Sequence, residues 1–217
     1  MRIAFLCSDP EHPVVPRLKA WKEDNELLHD VEIAHALDEL RPADILFLVS
    51  CSHLVSEEQR ANFGRTMVLH ASDLPKGRGW SPHIWEILAG AKVLTLSLIE
   101  AADPVDTGDV WAKTQFDVPE TALFDEINSL LFDAELKLID EGIRMVKNGE
   151  SPSPQAEAGR TWYPRRSPSD SEIDSEKSIA EQFDLLRVAD PDRYPAFMNY
   201  RGAKYRITLR KMDHDET

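Results

Sequence analysis

The feature that most constrains this chain is residues 43–50, ADILFLVS, a continuous apolar run. A strand covered on both faces reads this way, whereas a half-solvated strand would alternate. Residues 2–8 (RIAFLCS) have the same character and predict a first strand. Further strands are expected at 30–34, 66–69 (TMVL), 93–99 (VLTLSLI) and 109–118 (DVWAKTQFDV). Helix signals fall between them. One helix is expected over 14–22, where Pro16 delays the start. A second covers 56–63, with Ser56 as N-cap and acids in the first turn. A third opens near Pro82. Residues 121–147 predict a long helix, because Leu123, Ile127, Leu130, Ala134, Leu138 and Met145 fall near a 3.6-residue period and Gly149 follows. Strands alternating with helices, then an extended hairpin-like pair, predict an α/β fold with a mostly parallel sheet and helices on both faces.

The chain changes character after residue 149. Residues 150–176 are rich in Pro, Ser, Asp, Glu and Arg. A helix at about 177–188 and two short strands at 196–200 and 204–210 follow, with Arg201-Gly202 as a hairpin turn. Three parts are therefore expected: a main domain over 1–149, a linker over 150–176, and a small C-terminal α+β subdomain over 177–217. The last residues, KMDHDET, are expected to fray. No run of about 18 apolar residues exists to span a membrane, and the N-terminal stretch does not read as a signal peptide, so a cytoplasmic location is expected. The formal charge of −14 argues against DNA, tRNA and anionic membranes as partners, since each calls for a basic face. Small anions remain within reach of a few local cations. Cys7 and Cys51 lack the spacing of a zinc site or disulfide framework and read as reduced thiols, so no metal is expected.

Two segments carry chemistry. In residues 66–85, TMVLHASDLPKGRGWSPHIW, a histidine directly ends a strand. Ligands of open α/β sheets collect at the C-terminal strand edge. The loop after His70 is stiff and holds Lys76 and Arg78. By itself this pattern also fits a histidine that caps a backbone carbonyl beside an ordinary turn. The second segment, EAADPVDTGDV at 100–110, places Asp103, Asp106 and Asp109 between two strands. If those strands are sheet neighbours, the loop shares an edge with His70. A carboxylate beside an imidazole orients the ring and raises its basicity, which suits proton transfer.

Together the segments resemble the formyltransferase family, 10-formyltetrahydrofolate-dependent enzymes that include methionyl-tRNA, glycinamide-ribonucleotide and nucleotide-sugar N-formyltransferases. Members carry a strand ending N-x-H, then S-x-L-P, a basic Gly-containing loop and a Pro. Here this reads Val68-Leu69-His70-Ala71-Ser72-Asp73-Leu74-Pro75, Lys76-Gly77-Arg78-Gly79 and Pro82. The D-x-G-[DP]-[IV] loop one hairpin later is Asp106-Thr107-Gly108-Asp109-Val110. Residues 161–174 (TWYPRRSPSDSEID) and 178–197 (SIAEQFDLLRVADPDRYPAF) resemble segments of sugar formyltransferases, most of all the short bacterial enzymes linked to pseudaminic-acid-type sugars. The resemblance spans residues 43–210, with a general Rossmann-like match before that.

The resemblance implies a Rossmann-like catalytic domain that moves a formyl group from 10-formyltetrahydrofolate to the amine of a nucleotide-linked amino sugar in cell-surface glycan biosynthesis. The reaction passes through a tetrahedral intermediate served by His70 and Asp106. The folate would lie against Ser50, Cys51, Ser52 and Leu54 and against Ala101, Ala102 and Val105. Ser72, Lys76, Arg78, Trp80, Arg193 and Tyr194 are expected on the acceptor's side, with Arg165 and Arg166 near a nucleotide or phosphate. Ordinary packing or surface roles are expected for Trp85, His53 and His83. Related enzymes often dimerise through C-terminal elements, so a homodimer fits. One departure is Val68, where the family has an asparagine that helps hold the oxyanion. A methionyl-tRNA formyltransferase and a non-catalytic folate- or nucleotide-binding relative are the alternatives. The acidic charge and short C-terminal part weigh against the first, and Val68 is the main support for the second.

Overall fold

The computed structural model describes residues 1–212; of the stretch 211–217 expected to fray, 213–217 lie outside the described residues, and Lys211 pairs with Glu126 at 2.6 Å. Six strands form the main sheet in the order β2-β1-β3-β4-β6-β7. The first four are β1 (Arg2–Leu6), β2 (Asp30–Ala34), β3 (Ala43–Leu48) and β4 (Phe63–His70), and they pair in parallel. The two-residue β5 (Arg78–Gly79) lies outside this sheet. β6 (Val93–Glu100) and β7 (Val110–Asp117) form the hairpin that completes it, each antiparallel to its neighbour. The continuous apolar runs thus occupy the middle of the sheet, as their lack of alternation requires.

Three helices frame the main core. α1 (Val15–Asn25) carries Pro16 in its first turn, where the missing N–H costs nothing. α3 (Pro82–Leu88) opens on Pro82. α4 (Phe124–Lys147) is the long amphipathic helix, closed by Gly149 at φ +70°. Ile127, Leu131, Ala134, Leu138 and Met145 are buried, and most pack with Ile3, Phe5, Phe47 and Met67 from the strands. Gly142 lets α4 approach the sheet: a Cβ there would lie 2.7 Å from Leu98 Cδ2. Another cluster, including Ala4, Leu6, Leu46, Leu48 and Val55, is flanked by Leu37, Leu40 and Phe63, next to a 3₁₀ turn over Leu37–Glu39.

Two elements are shorter than expected. α2 covers only Glu57–Arg60, because β4 starts at Phe63, whose backbone pairs with Ala43. The expected helix at 177–188 is a 3₁₀ turn (Ala180–Gln182) followed by α5 (Phe183–Arg187). Gln182 explains this: its side chain bonds the backbone of Asp174, Lys177 and Ser178, so side-chain bonds replace the first helical turns. The C-terminal hairpin β9 (Ala196–Tyr200) and β10 (Ala203–Ile207) turns at Arg201-Gly202 as expected.

The segment 150–176 is fastened to the body. Ser153 bridges Val110, and β8 (Trp162–Tyr163) pairs in parallel with β5. No helix among the described residues is long and apolar enough to cross a membrane.

Phe47 is fully buried and stacks on Phe5 with ring centroids 5.5 Å apart. Phe47→Ala should lower the unfolding free energy by about 3–5 kcal/mol. A urea titration of wild type and variant checks this, and an unchanged midpoint would contradict the placement of the core.

Candidate active site

His70 is the last residue of β4 and is 6% exposed. Its Nε2 lies 2.8 Å from the carbonyl oxygen of Gly77. A carbonyl only accepts, so Nε2 is the donor there, and Nδ1 is the ring nitrogen left to face Asp106. Nδ1 sits 3.5 Å from Asp106 Oδ1. The other carboxylate oxygen, Oδ2, accepts the Gly79 N–H at 2.9 Å. Both simple readings of a strand-end histidine are therefore realised in one residue: it caps a carbonyl with one nitrogen and meets a carboxylate with the other.

The meeting depends on how the β6–β7 loop is bent. β6 runs antiparallel to β4 and ends with Glu100 opposite Met67, three residues before His70. The loop must travel back along the sheet, and Asp106 adopts a left-handed conformation (φ 59°) to reach the imidazole. Gly108 follows because a Cβ there would lie 1.7 Å from the Glu100 carbonyl oxygen. Gln155 holds the turn from outside, donating to the carbonyls of Asp106 and Gly108 at 2.9 and 2.8 Å.

The loop after His70 is held just as firmly. Ser72 Oγ donates to the Lys76 carbonyl, and Ser97 Oγ donates to that of Ser72. Lys113 bonds Asp73 and the Leu74 carbonyl. Gly77 N–H donates to Thr161 Oγ1, and Trp80 N–H to the Tyr163 carbonyl. Gly79 has φ +98°, and a Cβ there would meet Tyr163 O at 2.3 Å. The strap formed by residues 155–163 therefore sets where Gly77 and Gly79 sit, and those two glycines hold His70 and Asp106.

A cleft of about 930 Å³ opens in front of the pair, a size common for small-molecule sites. Ser50, Cys51, Ser52 and Leu54 line one wall and Ala101, Ala102 and Val105 another. Ser52 is pinned through its N–H to Ser8 Oγ at 2.9 Å. Arg60 ties the walls together, bonding the Val55 carbonyl at 2.5 Å and Asp103 Oδ2 at 2.6 Å. Burial pushes the Cys51 thiol up, so it is no activated nucleophile. Trp80, Arg165, Arg166, Arg193 and Tyr194 also line the cleft. Arg165 lies over the Trp80 ring at 4.7 Å, and Arg193 pairs with Asp9 at 2.6 Å.

Three expected acceptor-side residues are not brought to the cleft. Ser72 is fully buried under the loop. Arg78 spends its guanidinium on Gln155 Oε1 at 2.7 Å. Lys76 is exposed but outside the cleft lining. Conversely, His53 and His83 line the cleft, although packing or surface roles were expected for them. Val68 also faces it.

Sequence reasoning missed several residues here. His12, Asn128, Glu135 and Asp190 line the cleft, and Gln155 holds Asp106. Glu135 had a visible signal, since it falls between Leu131 and Leu138 on the apolar stripe of α4. Burial alone pushes its carboxyl up to about 8. Burial drives His12 down to about 4. Gln155 carries no sequence signal. Among the described residues no cluster of three or more His, Cys, Asp or Glu side chains is placed to hold a metal ion.

The fold is shared with known proteins. A structure of methionyl-tRNA formyltransferase from Clostridium thermocellum superposes with a TM-score of 0.80 at 25% identity, over 100% of this chain and 95% of that one. HypX from Aquifex aeolicus in complex with tetrahydrofolic acid gives 0.81 at 21% identity, over 96% of this chain but 37% of HypX. A 4-N formyltransferase from Francisella tularensis gives 0.70 at 14% identity, over 98% of both chains. The last two show the fold alone. A sequence profile described as formyl transferase matches residues 6–143, more than half of the chain, and its match takes in β3, β4 with His70, the Asp106 loop and most of α4: the chain belongs to the formyl transferase family and is a formyltransferase.

Proposed function

We propose that the protein moves a formyl group from 10-formyltetrahydrofolate to the amine of a nucleotide-linked amino sugar. The observation that carries the reading is the His70–Asp106 pair, 3.5 Å apart at the wall of a folate-sized cleft. The walls suit a flat heterocycle, because they offer turn backbone and small apolar side chains. The tetrahydrofolate-bound HypX structure supports a folate donor, and the Francisella enzyme supports a sugar acceptor. Arg165 and Arg193 offer cations to a nucleotide's phosphates, with Trp80, 39% exposed, as a stacking surface.

His70 does the proton work in this reading. Gly77 keeps a proton on Nε2, so Nδ1 receives the proton that the attacking amine sheds as its new C–N bond forms. The resulting imidazolium is stabilised by Asp106, and Nδ1–H returns the proton to the donor nitrogen as the old C–N bond breaks. Asp106 is held in place for this by the Gly79 N–H, which donates to its second oxygen. Gln155 acts as a positioning residue by fixing the Asp106 turn. Catalysis within 1–149, with 150–176 as a strap and 177–217 as a subdomain at the acceptor side, completes the proposal, in a cytoplasmic enzyme that forms homodimers.

The Clostridium structure raises tRNA as a second acceptor. The formal charge of −14 weighs against it. Filter binding with initiator methionyl-tRNA at low salt separates the two, since tight binding would favour the tRNA reading.

Purified protein with 10-formyltetrahydrofolate and a panel of nucleotide-linked amino sugars should yield an N-formyl sugar, detected by mass spectrometry. Folate binding without product across the whole panel would count against the assignment. His70→Gln and Asp106→Asn should each lower kcat by roughly 10²–10⁴-fold while folate affinity holds. Gln155→Ala should lower kcat by roughly tenfold or more through displacement of Asp106, with little change in folate KM. If Gln155→Ala instead shifts KM alone, the residue does not position Asp106.

A further inference from the structure

Among the described residues, buried side-chain atoms without a hydrogen-bond partner occur on Arg17, His29, Thr66 and Arg78 away from the cleft, and on three residues that line it: His83 Nδ1, Glu135 Oε2 and Arg166 Nε. They come from three separate elements, α3, α4 and the segment after β8. None takes part in the His70–Asp106 pair or in fastening the loop. A buried polar group without a partner costs about 1–3 kcal/mol. Three of them on residues of one cavity are what a ligand-binding wall presents before its ligand arrives.

Their chemistry narrows the ligand. Glu135 is 5% exposed, and burial pushes its carboxyl up to about 8, so near neutral pH it is mostly protonated and both donates and accepts. Burial, with the nearby charges of His70, His12 and Arg166 added, drives His83 down to about 4, so its ring is neutral. Arg166 contributes an N–H donor, its NH2 being already on the Asp170 carbonyl at 2.9 Å. Asn128 lies two helical turns before Glu135 and also lines the cleft, adding an amide. The Arg166 guanidinium is a charged donor, while Glu135, His83 and Asn128 are neutral donor-acceptor groups that match hydroxyls, each of which gives and takes a hydrogen bond. They suit a phosphate poorly, and Arg165 and Arg193 at the same cleft serve phosphates better.

We infer that His83, Glu135, Arg166 and Asn128 form a subsite for the hydroxylated ring of the acceptor, a polyol segment recognised by hydrogen bonding. The inference rests on the reading of the acceptor as an amino sugar and assigns the residues that select it. Glu135 and His83 are binding residues that touch the sugar and take no part in proton transfer.

The test is calorimetric, on the whole protein. UDP-, dTDP-, GDP- and CMP-linked amino sugars are each titrated against the matching bare nucleotide. Wild type should prefer one sugar-linked form by roughly tenfold or more. Glu135→Leu and His83→Phe should each erase most of that preference and leave the bare nucleotide and tetrahydrofolate affinities within about twofold. Glu135→Gln, which keeps a donor and an acceptor, should retain most of it. Glu135→Leu should also melt no lower than wild type, because it removes an unpaired buried carboxyl. If wild type prefers a sugar-linked form and Glu135→Leu and His83→Phe keep the preference, the subsite falls while the functional reading stands. A lower melting temperature for Glu135→Leu with the preference intact makes Glu135 structural and overturns the subsite equally. If wild type shows no preference for any sugar-linked form, the acceptor reading falls and takes the subsite with it.

Discussion

The carboxylate of Asp106 joins the two halves of this site. One oxygen faces His70 Nδ1 and the other takes the Gly79 N–H. Its two oxygens are thus each turned to a separate loop of the site. That arrangement demands an unusual path from the chain on either side. Asp106 takes a left-handed backbone, Gly108 passes against the Glu100 carbonyl, and Gly79 passes against Tyr163. Such approaches survive only where the surroundings over-determine them. Here the surroundings are the strap from 155 to 163, which reaches both glycine loops through Gln155, Thr161 and Tyr163. A segment that reads in sequence as a connector is thus a structural part of the site.

The cleft also carries a stability penalty that the core must offset. The sheet and α4 supply a large apolar cluster, with Phe5, Phe47, Ile3, Ile45 and Met67 fully buried. Against it stand His83, Glu135 and Arg166, each with a buried atom lacking a protein partner. Natural proteins keep such defects where function needs them, and the usual consequence is a site less stable than the fold could have made it. These three belong to residues of one cavity, while Arg17, His29, Thr66 and Arg78 carry further unpaired atoms elsewhere among the described residues.

The parts legible in the sequence are those governed by local periodicity. The apolar runs at 2–8 and 43–50 have no alternation and became central strands, and the 3.6-residue stripe of 121–147 became α4. His70 was legible because it ends a strand, and Asp106 because its loop joins two strands. What stayed hidden depends on contacts between distant segments. β5 and β8 are two residues each, too short for any period to show, and they exist because they pair with one another. Arg78 reads as a ligand for an anion because it is a cation in a loop beside a histidine, yet Gln155, 77 residues later, takes it. Glu135 was missed for the opposite reason. It sits in a strongly periodic helix, and the period invites attention to Leu131 and Leu138 while the carboxyl between them passes as surface.

Val68 bears on how the proposed reaction treats the oxyanion. Its side chain faces the cleft and has no donor to give. The ring of His70 cannot compensate with both nitrogens, because Nε2–H is held by the Gly77 carbonyl. Only Nδ1 is free, and it is the same atom that exchanges the proton. Stabilisation of the oxyanion by His70 therefore begins only after Nδ1 has taken a proton from the amine, when it becomes a charged donor. A side-chain amide at position 68 would be a donor from the outset. Under the proposed mechanism, proton transfer and oxyanion stabilisation fall to one atom in sequence, which makes the position of Asp106 more important than it would be with a separate donor in place.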